Sequence, residues 1–250
     1  MRLNRYLSAC GICSRREADR LIGEGRVKVN GKVITQLGVS VDPSRDKVEV
    51  DGTQAAAPSQ GVAFAMYKPR GILTTCRDPF GRKTVMDLLS ERKVTFPRRL
   101  YPVGRLDKES EGLLLITDDG ELANLVMHPR YRIEKEYVVE VVGVPDRRAL
   151  EALGNGVDIG GYKSSPARVK VVGRHEAGAV LQLTMCEGKK REIRLMCKAV
   201  GHPVVRLKRT RIGPLALGDM KPGEVRKLGI AEIEAIKQMA MGVGRNENHE

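Results

Sequence analysis

The segment 104–120, GRLDKESEGLLLITDDG, holds the residues best placed to do chemistry. Asp107 follows Arg105 and Leu106 in a loop flanked by Gly104 and Gly112, and an apolar strand, Leu113 to Thr117, comes next. A carboxylate carried on a loop and backed by a buried strand is held in place, and a neighbouring guanidinium keeps it ionised. Glu109 and Glu111 lie near enough to offer a second carboxylate. For both, solvated loop charge is the expected state, because charged side chains are almost never fully buried unless paired.

The other usual signatures of catalysis are absent from the sequence. There is no G-x-x-x-x-G-K-S/T, no H-E-x-x-H and no G-x-S-x-G, and the glycine cluster at 154–161 reads as a loop. His128, His175, His202 and His249 show no metal-binding spacing. Cys10 and Cys13 form a lone C-x-x-C without a second pair, which predicts packing at a helix corner and no zinc. Five cysteines make an odd count, so a disulfide framework is not expected.

Composition narrows the partner. Across 250 residues, 44 Lys plus Arg stand against 31 Asp plus Glu, a formal net charge of +13. That surplus predicts a polyanion bound through salt-sensitive contacts. Aromatic residues are only 4% and Trp is absent, so a platform of stacked bases is disfavoured and recognition of RNA by charge and shape fits better. With 30% charged residues and no apolar run near the roughly 20 residues of a spanning helix, a membrane protein is not expected. The N-terminus lacks an apolar signal core, so a cytoplasmic setting is expected.

The elements that must position these groups follow from periodicity. Leu3, Leu7 and Cys10 mark one helix, and Ser14-x-x-Glu17 caps a second that buries Ala18, Leu21 and Ile22. Val27 and Val29, the turn Asn30-Gly31, and Val33-Ile34 predict a hairpin, with a last short strand from Val48. Arg5, Arg15, Arg16 and Arg20 cluster on or beside the helices as candidate RNA contacts. Residues 53–60, TQAAAPSQ, lack charge and large apolar groups and read as a linker between a unit at 1–52 and one at 61–241. Strands are expected at Val62–Tyr67, Tyr137–Val142, Val169–Val172 and Val180–Met185, with helices at Glu121–Met127, Arg191–Val200 and Ile230–Met241. Without a regular βαβ alternation, this mixture predicts an α+β fold with a largely antiparallel sheet. The polar end, 242–250, is expected to be disordered.

Between Glu187 and Leu228, 12 Lys plus Arg face 4 Asp plus Glu. Lys190, Arg194 and Lys198 recur at i+4 and predict a cationic stripe along the helix from Arg191, with Lys189 beside it.

Two resemblances sharpen the reading. SRREADRLIGEGRVKVNGKVI within residues 1–50 resembles the S4 RNA-binding domain, which implies structured RNA as partner. GRLDKESEGLLLITDDG resembles the catalytic motif of pseudouridine synthases of the RsuA, RluB, RluE and RluF type. YKPRGILTT (67–75), EKEYVV (134–139) and the segment 187–228 resemble further motifs of that family, in its order. The resemblance implies isomerisation of a uridine in ribosomal RNA: the N1–C1′ bond breaks, the uracil turns and a C5–C1′ bond forms. It assigns Asp107 the essential role, either as nucleophile at C1′ or as base at the sugar. It gives Tyr137 stacking on the uracil, Arg194 pairing with the carboxylate, Leu207 a wall of the base pocket, and Arg105 a hold on the flipped nucleotide. Hydrolysis of a glycoside commonly takes two carboxylates; an isomerase recaptures its leaving group, so one Asp suffices and no cofactor or metal is implied. The implied partner is a structured stem-loop of ribosomal RNA with a flipped uridine, and the chain is expected to act as a monomer. VMHPRYRIEKEY (126–137) and the C-terminal pattern sit closer to the large-subunit type than to the small-subunit one. A small-subunit target, a non-catalytic S4-type RNA-binding or assembly protein, and an S4-bearing methyltransferase are the alternatives. No methyl-donor loop is visible for the last.

Overall fold

A computed structural model describes residues 1–56, 61–92 and 99–245. At the N-terminus, α1 (Leu3–Ala9) and α2 (Arg15–Gly23) pack Leu3, Tyr6, Leu7, Ala18, Leu21 and Ile22 into one small core. Ser14 caps α2, its Oγ accepting from the Glu17 backbone N–H at 3.2 Å. Cys10 and Cys13 pack against this core, neither of them in a disulfide. β1 (Val27–Val29) turns through Asn30 and Gly31, both at positive φ, into β2 (Lys32–Ile34). β3 (Val48–Val50) covers the other edge of β1.

The N-terminal unit is longer than its sequence suggested. Thr53–Gln54 form a short strand, β4, paired with β3, and Ala55 is buried in the same core. The expected linker therefore does not begin at Thr53; its later part, 57–60, lies outside the described residues.

The second unit is built on β5 (Ala63–Lys68) and β7 (Glu111–Thr117), antiparallel neighbours in which every residue is buried. Their uniformly apolar runs, without the alternation of a one-sided sheet, follow from cover on both faces. Ala63, Ala65, Tyr67, Leu113 and Leu115 point to one side, beneath α4 (Gly120–Met127) and α7 (Ile230–Arg245). Phe64, Met66, Leu114 and Ile116 point to the other, beneath α3 (Val85–Glu91). Leu113 through Ile116 are fully buried, and burying each contributes about 1.5–3 kcal/mol. The strand that leaves the Asp107 loop is thus among the firmest parts of the frame.

β6 (Tyr101–Val103) pairs with β7 just before that loop. β8 (Lys135–Val142), β9 (Arg168–His175) and β10 (Gly178–Met185) lie antiparallel in the order β8-β10-β9, with β10 between the other two. α5 (Arg147–Asn155) and α6 (Glu192–Ala199) contribute Leu153, Ile193, Met196 and Cys197 to the core beside Tyr137, Val139 and Val141. β11 (Val204–Ile212) joins the two halves, antiparallel to β8 and parallel to β7. With β12 (Leu215–Ala216) on β11 and β13 (Val225–Lys227) on β5, the described residues form a nine-stranded sheet of central order β13-β5-β7-β11-β8-β10-β9. The fold is α+β, and β7–β11 is its parallel pair.

Two boundaries differ from expectation. α7 continues through Arg245, so 242–245 are helical where a disordered tail was expected; 246–250 lie outside the described residues. α6 begins at Glu192 after Arg191 in the left-handed conformation, φ 57°. That left-handed residue between Lys190 and the helix breaks the helical phase, so the predicted i+4 stripe is interrupted.

Candidate active site

Between β6 and β7 the chain makes a loop in which every carbonyl from Leu106 to Ser110 is taken. Thr74 Oγ1 donates to Leu106 O at 2.7 Å. The Ser110 N–H closes a tight turn onto Asp107 O at 3.0 Å, and the Gly71 N–H donates to Lys108 O at 2.8 Å. Arg194 Nη2 donates to Glu109 O at 3.1 Å and to Ser110 Oγ at 3.3 Å. Lys68 Nζ donates to Ser110 O at 2.7 Å and Pro69 O at 2.9 Å. The Asp107 backbone is fixed from below, while its half-buried side chain faces a cavity of about 520 Å³. That volume suits one nucleoside.

Of the residues singled out from sequence, Arg105, Asp107, Tyr137, Leu207, Lys189 and Lys190 line this one cavity. Tyr137 and Leu207 are each 6% exposed and share a core with Leu106. They come from neighbouring strands, β8 and β11. Arg105 is exposed at the rim. Lys189 stands over the Tyr162 ring at 4.2 Å and pairs with Glu187 at 3.3 Å.

Arg194 takes a different position from the one expected. Among the described residues it forms no direct ion pair with Asp107; it holds the Glu109–Ser110 backbone and acts on Asp107 as a nearby charge. Burial, together with Arg191, pulls its guanidinium below the ordinary range, and Asp107 opposes that shift. Lys198 is exposed on the last turn of α6 and does not line the cavity, so of the predicted stripe only Lys190 does.

Glu111 is a second departure. It is not a solvated loop charge but a buried residue of β7, 4% exposed, bonded to Arg206 and to the Tyr67 hydroxyl at 2.9 Å. Burial alone would raise its carboxyl; Arg206 and Tyr67 more than offset this and hold it below the usual range. Glu109 is exposed, 3.5 Å from Arg70. Neither pairs with Asp107.

Three cationic residues escaped the sequence reading. Lys68 is fully buried beneath the Asp107 loop, and burial pulls its ammonium down to about 8. Lys135 and Arg209 line the cavity beside Tyr137 and Leu207. A signal for Arg209 existed: in VVRLKRTRI it stands two residues after Leu207, on the apolar phase of the strand.

On the N-terminal unit, Arg5, Arg15 and Arg16 are exposed. Arg20 is engaged by Glu17 and Glu24, both at 2.5 Å, which neutralises it locally. Among the described residues no cluster of His, Cys, Asp and Glu is arranged to hold a metal, and no helix is long and apolar enough to cross a membrane.

Residues 62–199 match the family model described as RNA pseudouridylate synthase, and residues 1–48 match the S4 domain. The ribosomal large subunit pseudouridine synthase B of Bacillus subtilis (strain 168) is 41% identical over 96% of this chain and 96% of its own length. An uncharacterized RNA pseudouridine synthase of Aquifex aeolicus (strain VF5) is 42% identical over 93% of this chain and 92% of its own. A crystal structure of a pseudouridylate synthase, 25% identical, covers 94% of this chain and 99% of that one with a TM-score of 0.66. Similarity along nearly the whole length, joined to an aspartate loop over a nucleoside-sized cavity, leads to one statement: the chain belongs to the RNA pseudouridylate synthase family and is an RNA pseudouridine synthase with an N-terminal S4 domain.

Proposed function

We propose that this enzyme isomerises one uridine of large-subunit ribosomal RNA, as a cytoplasmic monomer, with Asp107 as the essential residue. The observation that carries the reading is the Asp107 loop. Its backbone carbonyls are all committed, whereas its carboxylate faces a cavity walled by Tyr137 and Leu207. A flipped uridine entering that space meets the ring of Tyr137 and the side chain of Leu207. Arg105, Lys189 and Lys190 stand at its edge, where backbone contacts offset the few kcal/mol, approximately, that flipping costs. The large-subunit assignment rests on similarity to the Bacillus subtilis protein of that name.

No cofactor is needed for the atoms to balance. The N1–C1′ bond breaks with its electron pair on uracil; the ring turns; C5 bonds to C1′; the C5 proton leaves and N1 gains one. Asp107 either captures C1′ or takes a proton from the sugar, and both routes end with the carboxylate restored. Arg194 supports that carboxylate as a nearby cation and by holding its loop. The S4 domain supplies Arg5, Arg15 and Arg16 to the RNA backbone.

The test is tritium release from ribosomal RNA labelled at uridine C5, followed by carbodiimide mapping of RNA from cells with and without the gene. A position lost from large-subunit RNA is expected. A position lost from small-subunit RNA contradicts the subunit assignment. Binding without tritium release from any ribosomal RNA favours the non-catalytic alternative.

A further inference from the structure

Two cations that line the cavity, Arg209 and Lys135, pair with none of its carboxylates among the described residues. β8 and β11 run antiparallel with Tyr137 opposite Arg209. Lys135 and Tyr137 share one face of β8, and Leu207 and Arg209 the same phase of β11; all four line the cavity. The pairing register shifts between Arg209 and Arg211, a bulge of the kind that re-aims a side chain.

Arg209 is only 5% exposed. Its Nε donates to Leu113 O at 2.7 Å, while its Nη2 is buried with no hydrogen-bond partner among the described residues. Lys135 Nζ is held by a single carbonyl, that of Cys186, at 3.0 Å. Among the described residues neither cation forms an ion pair. The other arginines of β11 do: Arg206 with Glu111, and Arg211 with Glu136. Lys135 also feels Arg209 directly; burial first, and then that neighbouring charge, pull its ammonium down to about 8. Keeping the buried Arg209 and the half-buried Lys135 charged without a counter-charge is costly. Two together make a place where negative charge is stabilised on arrival.

We propose that Arg209 and Lys135 receive the negative charge that develops on uracil when its N1–C1′ bond breaks. This rests on the reading above but not on the route taken by Asp107. Capture of C1′ and proton removal from the sugar both leave the bond's electron pair on uracil, delocalised over N1 and the two carbonyl oxygens. The pair is returned, and the ring loses its charge, when C5 attacks C1′; C5 then gives up its proton and N1 takes one, with no net change of charge. Donors already fixed to backbone carbonyls meet that charge without reorganising. A phosphate of the target nucleotide is the competing anion. Place argues against it: the exposed cations Arg105, Lys189 and Lys190 stand at the rim, whereas Arg209 is buried beside the apolar and aromatic walls that fit a base.

The experiment uses the full chain and a tritiated ribosomal RNA transcript, with single-turnover rate and Kd measured separately over a salt series. Arg209→Met is expected to slow the single-turnover rate by about 100-fold or more, while Kd and its salt slope stay at the wild-type values. Arg209→Lys, which keeps a positive charge, is expected to recover part of the loss, which a packing role would not predict. Lys135→Met, at a half-buried position tied by one bond, gives a second arm with the same split between rate and affinity. Rates close to wild type for both Met variants would overturn the proposal. So would a weakened Kd whose salt slope falls by about 1 at an unchanged saturating rate, the mark of a phosphate contact. Wild-type protein that releases no tritium would instead overturn the functional reading on which the proposal stands.

Discussion

The ammonium of Lys68 lies 2.7 Å from the carbonyl oxygen of Ser110, at the end of the loop that carries Asp107. It reaches Pro69 O as well, so one side chain at the end of β5 ties the start of the YKPRG segment to the start of β7. The fully buried lysine is a positioning residue: its bonds fix where the carboxylate points and leave the carboxylate itself free.

Lys68→Met is therefore expected to slow single-turnover conversion about 100-fold, the scale of a small misplacement of a reacting group, with RNA affinity little changed. Stability adds a pH signature. Burial holds this ammonium at about 8, against an ordinary value of 10.5. Between those values the unfolded chain binds the additional proton, so this group's contribution to stability rises with pH across the window and is flat below it. Urea unfolding of wild type and Lys68→Met at pH 7.5 and 9.5 checks the sign: the wild type gains on the variant as pH rises. A difference that shrinks as pH rises contradicts the assignment.

Gly112 sits at φ 106°, opposite Arg209, where an added Cβ would lie 2.2 Å from the Arg209 carbonyl oxygen. The neighbour is backbone in a parallel pair and cannot step aside. Gly112→Ala is expected to cost roughly 2 kcal/mol or more, lowering Tm by about 2–4 °C per kcal/mol. Conversion should fall further than stability explains, because the same pairing seats Arg209 in the cavity floor. An unchanged Tm would show that β7 and β11 are not in this register.

How much was legible in the sequence depended on whether the signal was local. The apolar run from Leu113, the Ser14 cap and the Asn30-Gly31 turn each lie within a few residues, and the elements formed where those signals stand. Asp107 was singled out among several carboxylates beside that strand by the resemblance of GRLDKESEGLLLITDDG to a family motif, and it does line the cavity. Glu111 was not, because its partner Arg206 lies 95 residues away; the chemistry that permits its burial exists only once β11 is beside β7. Lys68 was missed for the same reason, since the Ser110 carbonyl that accepts from it lies 42 positions on. The Thr53–Gln54 strand carries no large apolar side chain, so its pairing with β3 left no periodic trace. The cationic stripe failed on one dihedral: Arg191 is left-handed, which takes Lys190 out of helical phase with Arg194 and Lys198.

The N-terminal arginines should not contribute equally to RNA binding. Arg15 and Arg16 are exposed, while Arg20 is held by Glu17 and Glu24. Removing one cation from a phosphate lowers the slope of log affinity against log salt by about 0.7–0.9. Arg15→Ala and Arg16→Ala are expected to flatten the slope by that order, and Arg20→Ala to leave it nearly unchanged. Equal flattening by all three would mean that Arg20 exchanges its carboxylates for phosphate.

If the carboxylate of Asp107 carries the isomerisation, Asp107→Asn abolishes it. The substitution keeps the shape of the side chain and removes its charge. With ribosomal RNA tritiated at uridine C5, a single turnover by Asp107→Asn should release no tritium above background while its Kd for the same RNA stays within about threefold of wild type, less than 1 kcal/mol. Tritium release by Asp107→Asn at a rate near that of wild type would contradict the account.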